Sequence, residues 1–402
     1  MKRPLEVGDL FRVFGSAYRE AHEMPLRHLR VMRAIEVCRT AELGGHLDQC
    51  DHCGTVRISY NSCRNRHCPK CQCLEKERWL EARERDLLPT PYFHVVFTLP
   101  EGLRPLALRN QKVVYSLLFK SVSETLTELA RDSKHLGAEI GFMAILHTWS
   151  QTLIDHPHLH CLVTGGGLSL DGKRWIASSK DFFISVKVLS SLFRGKFLDG
   201  LKKLHEAGEL TFPGQIEEWK ESPAFKRLLT NLYHQEWVVY CRPPLKNLQK
   251  VMDYLGRYTH RVALSNDRLV KLEGNQVTFR WRDSADNNKI KLLTLGAFEF
   301  IRRFLLHVLP EQFVKIRYYG ILSHRSRKGK LLRCKRLLGI VTREDPEQAP
   351  KETWEDLLTR ITGIDPRICP HCGKGKMIQK EILPPCSVTL KDKMPSYGGR
   401  PP

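Results

Sequence analysis

Apolar positions along this chain change period several times, and each change marks an element. Residues 5–40 space their apolar side chains for helix, with Leu26, Leu29, Val31, Met32 and Ile35 set among basic residues. Residues 74–88, L-E-K-E-R-W-L-E-A-R-E-R-D-L-L, read as a helix of mixed charge. At Pro91 the texture changes. Y-F-H-V-V-F-T-L-P (92–100) is a β-branched and aromatic run closed by proline, which predicts a core strand. A long helix is expected over 103–133, then two strands, G-F-M-A-I-L-H-T-W (141–149) and H-L-H-C-L-V (158–163), paired antiparallel across a short connection. E-W-V-V-Y-C (236–241) predicts a strand that stops at Pro243-Pro244, because proline gives a ladder no N–H. Beyond it we expect a helix over 245–259, strands at 262–264, 268–272, 277–281 and 289–293, a helix over 297–309 and a strand in I-R-Y-Y-G-I-L.

Composition narrows the class. The 402 residues suffice for two or three domains, and 42% apolar content can bury a sizeable core. A net charge of +21 favours a polyanionic partner, either nucleic acid or an acidic membrane surface. No 18-residue apolar run occurs, and residues 1–10 lack a signal-peptide core, so no membrane association is expected. Of 13 cysteines, 7 fall between Cys38 and Cys73 in metal-ligand spacing, which speaks for a reducing compartment and not a disulfide framework. The chain reads as a cytoplasmic nucleic-acid-binding protein.

The cysteines supply the first candidate chemistry. Cys50-x2-Cys53 and Cys68-x2-Cys71, with 14 residues between the pairs, form a four-thiolate set suited to a closed tetrahedral Zn²⁺ site; free buried cysteines are the plainer alternative. Cys38, His46, Cys63 and His67 are left over and could hold a second zinc. Arg64, Arg66 and Lys70 decorate these knuckles and suit phosphate contact. Residues 168–232 are basic and carry no motif. From Ser323 the chain runs S-H-R-S-R-K-G-K-L-L-R-C-K-R, seven basic residues and no acid, so Arg325, Arg327 and Lys328 are further candidate DNA contacts; a solvated basic face is the alternative. Cys369-x2-Cys372 is a lone knuckle whose second pair is missing, with only His371 and Cys386 nearby. Disorder is expected from Pro384. These readings divide the chain into a zinc-binding DNA-recognition domain (1–90), a catalytic domain (91–325, with 168–232 as a basic insertion) and a basic tail (326–402).

The second candidate chemistry lies in D-H-P-H-L-H-C-L-V-T-G-G-G (155–167). Residues two apart on a strand share a face, so His156, His158 and His160 can converge on one metal ion. With 17 histidines in 402 residues, such a triplet arises by chance about 0.03 times, although any one histidine alone reads more simply as a packed core residue. Pro157 belongs at the first residue or edge of a strand, so the regular strand is expected to begin at His158 and to end in a glycine turn. His158 and His160 are then the firm pair, with His156 as third or neighbouring group and His147 read as a packed residue. Tyr254 and Tyr258 stand at i and i+4 of the 245–259 helix. Core packing is their ordinary reading. Beside a metal strand, a tyrosine hydroxyl can also serve as a covalent nucleophile while a divalent ion polarises a phosphoryl oxygen. Lys250, one turn earlier, would favour phenolate over phenol. Lys250 and Arg257 join the candidate DNA contacts.

As a set, S-C-R-N-R-H-C-P-K-C-Q, F-H-V-V-F-T-L-P, L-H-T-W-S-Q with H-P-H-L-H-C-L-V-T-G-G-G, Y-L-G-R-Y-T-H-R-V-A-L-S-N and R-Y-Y-G-I-L resemble the two-tyrosine rolling-circle transposases of bacterial insertion sequences (insertion sequence 91 type), within the HUH (His-hydrophobic-His) endonuclease superfamily. The resemblance covers about residues 30–325 in the family's order. It implies an α+β fold: a five-stranded antiparallel sheet with the His pair on a central strand, the tyrosine helix beneath it, and a small zinc-binding domain in front. It further implies cleavage of single-stranded DNA at insertion-sequence ends and target sites through a 5′-phosphotyrosine, with catalytic Mg²⁺ or Mn²⁺. His158 and His160 match the histidine pair, and Tyr254 and Tyr258 the tyrosine pair; the match does not fix a third metal ligand. A plasmid or phage replication initiator would use the same chemistry. A histidine-metal phosphoesterase and a non-catalytic zinc-dependent DNA-binding protein are the alternatives from other classes.

Overall fold

The computed structural model describes residues 4–179, 184–259, 262–340 and 352–386, the side chains of Cys73 and Arg257 apart. The chain divides into two compact units, one formed by Glu6–Leu74 with Pro350–Pro402 and the other by Met1–Leu5 with Glu75–Ala349. The first unit opens with α1 (Val7–Ala21) and α2 (Leu26–Glu36), whose periodic faces bury Leu10, Phe11, Met32 and Ile35. Helix α1 starts on a capping box in which the Glu6 N–H donates to Asp9 Oδ2 at 2.9 Å. Strands β1 (Gly45–Cys50) and β2 (Val56–Tyr60) follow as an antiparallel hairpin.

Helix α3 (Gln72–Glu84) leads into the larger unit, which continues with β3 (Tyr92–Thr98), α4 (Arg104–Arg109), α5 (Gln111–Arg131), β4 (Ala138–Trp149), β5 (Asp155–Ser169), β6 (Trp175–Ala177), α6 (Val186–Glu206) and α7 (Ser222–His234). Next come β7 (Val239–Leu245), α8 (Leu248–Tyr258), β8 (Leu269–Glu273), β9 (Gln276–Asp283), β10 (Lys289–Gly296), α9 (Ala297–Leu306), β11 (Ile316–Gly320) and α10 (Leu332–Leu337). The main sheet is antiparallel in the order β11-β4-β5-β3-β7, with short β6 added to β5; β8, β9 and β10 form a separate antiparallel sheet. Strand β5 is therefore central.

Alternation sorts the side chains of the main sheet onto two faces. Phe93, Val95 and Phe97 of β3, Phe142, Ala144 and Leu146 of β4, and Leu159, Cys161 and Val163 of β5 join one core with α5 and α6. Tyr92, Met143, Ile145 and Leu162 face the other way, against Val251, Tyr254 and Leu255 of α8. Helix α6 contributes Leu189, Phe193, Phe197 and Leu201 to the first core, so the 168–232 region is part of the scaffold and not an insertion on it.

Several elements depart from expectation, each for a local reason. The helix expected over 103–133 breaks at Asn110, whose side chain instead donates to the Thr211 carbonyl at 2.9 Å and accepts from the Thr211 N–H at 2.8 Å. Strand β7 runs through Pro243 and Pro244 because it is a sheet edge, where a missing N–H costs no ladder bond. Residues 262–264 are irregular and not a strand. Strand β5 starts at Asp155, ahead of Pro157. Opposite β4 its pairs run His147 with His158 and then Trp149 with Asp155, so one extra residue bulges out of β5 around Pro157. The glycines at 165–167 do not turn the chain either. They let β5 continue to Ser169 with β6 laid close against it: Gly166 has φ +144, and a Cβ there would sit 2.6 Å from the Ile176 carbonyl oxygen.

The expected basic tail is not one piece. Residues 327–337 pack on the larger unit, burying Leu331 and Cys334 beside Leu88, Leu168 and Ile321. The segment 352–386 belongs to the first unit, with α11 (Trp354–Thr362) and β12 (Met377–Leu383). Strand β12 pairs antiparallel with β1 and makes it the middle strand of three. The disorder expected from Pro384 falls mostly on residues 387–402, which lie outside the described residues.

Candidate functional site

The α8-facing side of the main sheet carries four histidines. His158 and His160 share that face of β5, and β4 sets His147 directly opposite His158. One ring nitrogen each of His147, His158 and His160 lies within 4.8 Å of the others. His158 Nε2 and His160 Nε2 are 3.1 Å apart; two nitrogens bound at right angles at about 2.1 Å from one ion would be about 3.0 Å apart. The outer nitrogens are engaged as metal-bound imidazoles require. His158 Nδ1–H donates to the His156 carbonyl at 2.6 Å, and His147 Nε2–H donates to the Tyr258 carbonyl at 2.7 Å. His160 Nδ1 and His94 Nε2 share a hydrogen bond at 2.9 Å. The two carbonyl bonds fix the tautomers of His158 and His147 that present a lone pair inward, and with His160 beside them the residues fit a divalent ion. Burial, aided by Arg242 and His158, holds His94 down to a pKa of about 3, so its ring stays neutral and can accept that bond.

His156 is not a member of this group; His147 stands where a third ligand was sought. The bulge at Pro157 takes His156 out of alternation, and its ring lies 5.1 Å from that of His158. His147 is buried, as expected of a packed residue, yet it faces the pair. His94 had no role in the sequence reading. Its signal was visible as a lone histidine inside the continuous apolar run of β3. Asp155, at the start of β5, is a further buried polar group. Among the described residues both its carboxylate oxygens are without a hydrogen-bond partner, and burial pushes its pKa up to about 7 against the pull of Arg104.

Helix α8 is built to lie here. Asn247 caps it by accepting the Lys250 N–H at 2.8 Å, and Val251, Tyr254 and Leu255 recur on its buried face. The Tyr254 and Tyr258 rings are 4.5 Å apart. The Tyr258 ring lies tilted against His160 at 4.3 Å and Tyr254 against His94 at 4.5 Å, centroid to centroid. Tyr254 is buried and Tyr258 half-buried, whereas Lys250 is exposed at the first turn. Among the other basic candidates, Arg64, Arg325 and Lys328 are exposed and Arg66 is half-buried. Lys70 is paired with Glu6 at 2.6 Å and Arg327 with Asp86 at 2.8 Å, so these two are engaged within their own units. The Arg257 side chain lies outside the described residues.

The cysteines assemble differently from the expected sets. Cys68 and Cys71 gather with Cys38 and Cys63, while Cys50 and Cys53 gather with Cys369 and Cys372. In the first set the Sγ separations of Cys38–Cys71, Cys63–Cys71 and Cys38–Cys68 are 3.5, 3.6 and 3.6 Å. The edge of a tetrahedron with about 2.3 Å Zn–S bonds is about 3.8 Å, so these residues fit a structural zinc. His46 and His67 stay outside: His46 turns to Asp48 at 3.5 Å, and neither is among the gathered ligands. Sequence spacing misled here because strand pairing, not proximity along the chain, decides which knuckles meet.

A cysteine-rich unit suited to zinc and a sheet of histidines facing helix-borne tyrosines define a protein with candidate metal sites beside candidate nucleophiles, and the comparisons bear on that class. Residues 10–99 match the family described as "Transposase zinc-binding domain", of the IS91 type, and residues 141–330 the family described as "Putative transposase". The chain is 52% identical over 380 residues to the "Putative transposase y4qJ" of Sinorhizobium fredii, covering 94% of this chain and 95% of that protein. It is 26% identical over 352 residues to the "Transposase for insertion sequence element IS801" of Pseudomonas savastanoi pv. phaseolicola, covering 84% and 79%. The chain belongs to this family of insertion-sequence transposases, whose general work is to cleave and transfer DNA strands. Among the described residues no helix is long and apolar enough to cross a membrane.

Proposed function

We propose that this transposase nicks and rejoins single-stranded DNA at the ends of its insertion sequence and at target sites, in the cytoplasm, by tyrosine attack of the rolling-circle, HUH-endonuclease kind. The observation that carries the reading is the seating of Tyr258 on His160, with the Tyr258 carbonyl accepting from His147. Nucleophile helix and metal-ligand strands are thus tied at one point. Mg²⁺ or Mn²⁺ held by His147, His158 and His160 would polarise a non-bridging phosphoryl oxygen, with water and DNA oxygens completing a shell that favours oxygen ligands.

The tyrosine oxygen attacks phosphorus, forming an O–P bond as the P–O3′ bond breaks. The phenolic proton is passed to solvent and the leaving 3′ oxygen takes one up, so the products are a 5′-phosphotyrosine and a free 3′-OH. Tyr258 is half-buried beside the ligand pair and makes the first attack. Tyr254, buried against His94, takes the second strand once the first is covalently held. Rejoining reverses the step, with a 3′-OH attacking the phosphotyrosine and the phenol reprotonated. A regulator without catalysis leaves this arrangement without a role.

Denaturing electrophoresis of the protein with a labelled single strand tests the reading. Tyr258→Phe should lower first-strand adduct by at least about a hundredfold, the scale on which losing a positioned catalytic group is felt. The double variant Tyr254→Phe, Tyr258→Phe should form none. An adduct persisting in the double variant would place the nucleophile elsewhere.

A further inference from the structure

The lone C-terminal knuckle has a twin. Cys50-Asp51-His52-Cys53-Gly54 and Cys369-Pro370-His371-Cys372-Gly373 share the pattern Cys-x-His-Cys-Gly. Their backbones fold alike. Gly54 and Gly373 take φ of +72 and +66, and their N–H groups donate to the carbonyls of Cys50 and Cys369 at 3.1 and 2.9 Å. The N–H of each first cysteine is also bonded just past its knuckle, Cys50 to Thr55 O at 2.9 Å and Cys369 to Gly375 O at 2.8 Å. Antiparallel pairing of β1 with β12, with Cys50 opposite Met377, sets the twins face to face. Cys50 Sγ is then 3.7 Å from Cys372 Sγ, and Cys53 Sγ 3.7 Å from Cys369 Sγ.

We propose that Cys50, Cys53, Cys369 and Cys372 bind a second zinc ion, and that this ion fastens the 352–386 segment to the N-terminal unit as half of a zinc ribbon. The match to a zinc-binding domain stops at residue 99, so it takes in only half of these ligands. The 3.7 Å separations lie close to the edge of about 3.8 Å of a tetrahedral four-sulfur site and far beyond the S–S bond of a disulfide, about 2.05 Å. Backbone N–H groups point at the sulfurs as they do at thiolates: His52 and Cys53 donate to Cys50 Sγ, and Gly375 to Cys372 Sγ, each at 3.4 Å. Gly375 is the close approach that permits this, since a Cβ there would collide with Cys50 Sγ and lie 2.6 Å from His52 Cβ. Binding converts four thiols to thiolates and releases their protons to solvent. His371 stays outside the set, with Nδ1 4.0 Å from Cys53 Sγ.

The full-length chain, purified under reduction, should contain two zinc ions by elemental analysis, and the Cys369→Ser, Cys372→Ser variant one. Hydrogen exchange on the same two proteins separates a lost site from a lost fold. Protection in β1 and β12 should fall at least tenfold in the variant, with protection in β5 unchanged. One zinc in the parent chain, two in the variant, iron in place of zinc, or β1 protection unaffected by the substitution would overturn the proposal. As a second variant, Gly375→Ala keeps all four sulfurs; it should release one zinc to a chelator at least tenfold faster than the parent, and equal release rates would count against the site.

Discussion

At the scale of single residues, partners on neighbouring strands decide what each polar side chain can be. The His158 and His160 pair was legible because alternation alone puts both on one face. The third member was not, since His147 reaches them only through a strand register that the bulge at Pro157 helps to set. His94 supports His160 and should be felt as a positioning residue. Removing the hydrogen-bond partner of a metal-bound imidazole typically costs about 10–100-fold in affinity, so titration calorimetry with Mn²⁺ should show a loss of about that size in His94→Ala, with zinc content unchanged. Equal Mn²⁺ affinity would mean that His160 needs no such support. Asp155 makes a second residue-scale prediction. Its folded pKa of about 7 stands above the ordinary value of 3.8, so the folded state holds a proton that the unfolded chain gives up. The group favours folding below pH 4 and loses that contribution as pH rises through 7. Asp155→Asn should therefore melt higher than the parent at pH 8, by at least about 1 kcal/mol of the roughly 1.4 kcal/mol per unit that such a shift represents. The advantage should vanish near pH 4. A constant difference across that range would show that the carboxyl does not titrate there.

Elements were legible where pattern and length agreed: β3, α8, β9 and α9 lie within a few residues of expectation. Punctuating residues misled most. By pattern alone proline signals a stop in β7 and a start in β5, although an edge and a bulge each tolerate it. Glycine signals a turn after β5, where it serves close packing instead. Gly320, which ends β11, shows what such positions demand. Its φ is +58, and a methyl there would collide with the Ile140 carbonyl oxygen on β4. Gly320→Ala should destabilise the larger unit by about 1–3 kcal/mol through backbone strain at the sheet's edge. Urea denaturation followed by tryptophan fluorescence measures this, and an unchanged midpoint would refute it.

On the whole molecule, the net charge of +21 is an excess of cations that internal pairs cannot cancel, since pairs such as Lys70–Glu6, Arg327–Asp86 and Lys330–Glu139 each take up one acid as well as one base. Arg64, Arg325 and Lys328 remain exposed. Each phosphate contact to a single strand contributes a log–log salt slope of about −0.7, so three or more contacts should cut affinity about tenfold or more between 50 and 200 mM salt. Fluorescence anisotropy with a labelled single strand would show it, and a flat response would exclude a charge-led mode of binding. The pairing of β1 with β12 carries a consequence in time. Cys50 and Cys372 are 322 positions apart, and at roughly 5–20 residues per second the ribosome needs roughly 15–65 s to cover that distance. Throughout that interval β1 offers an open edge and Cys50 and Cys53 have only half of their ligand set. A strand made early thus waits for a partner made more than three hundred residues later.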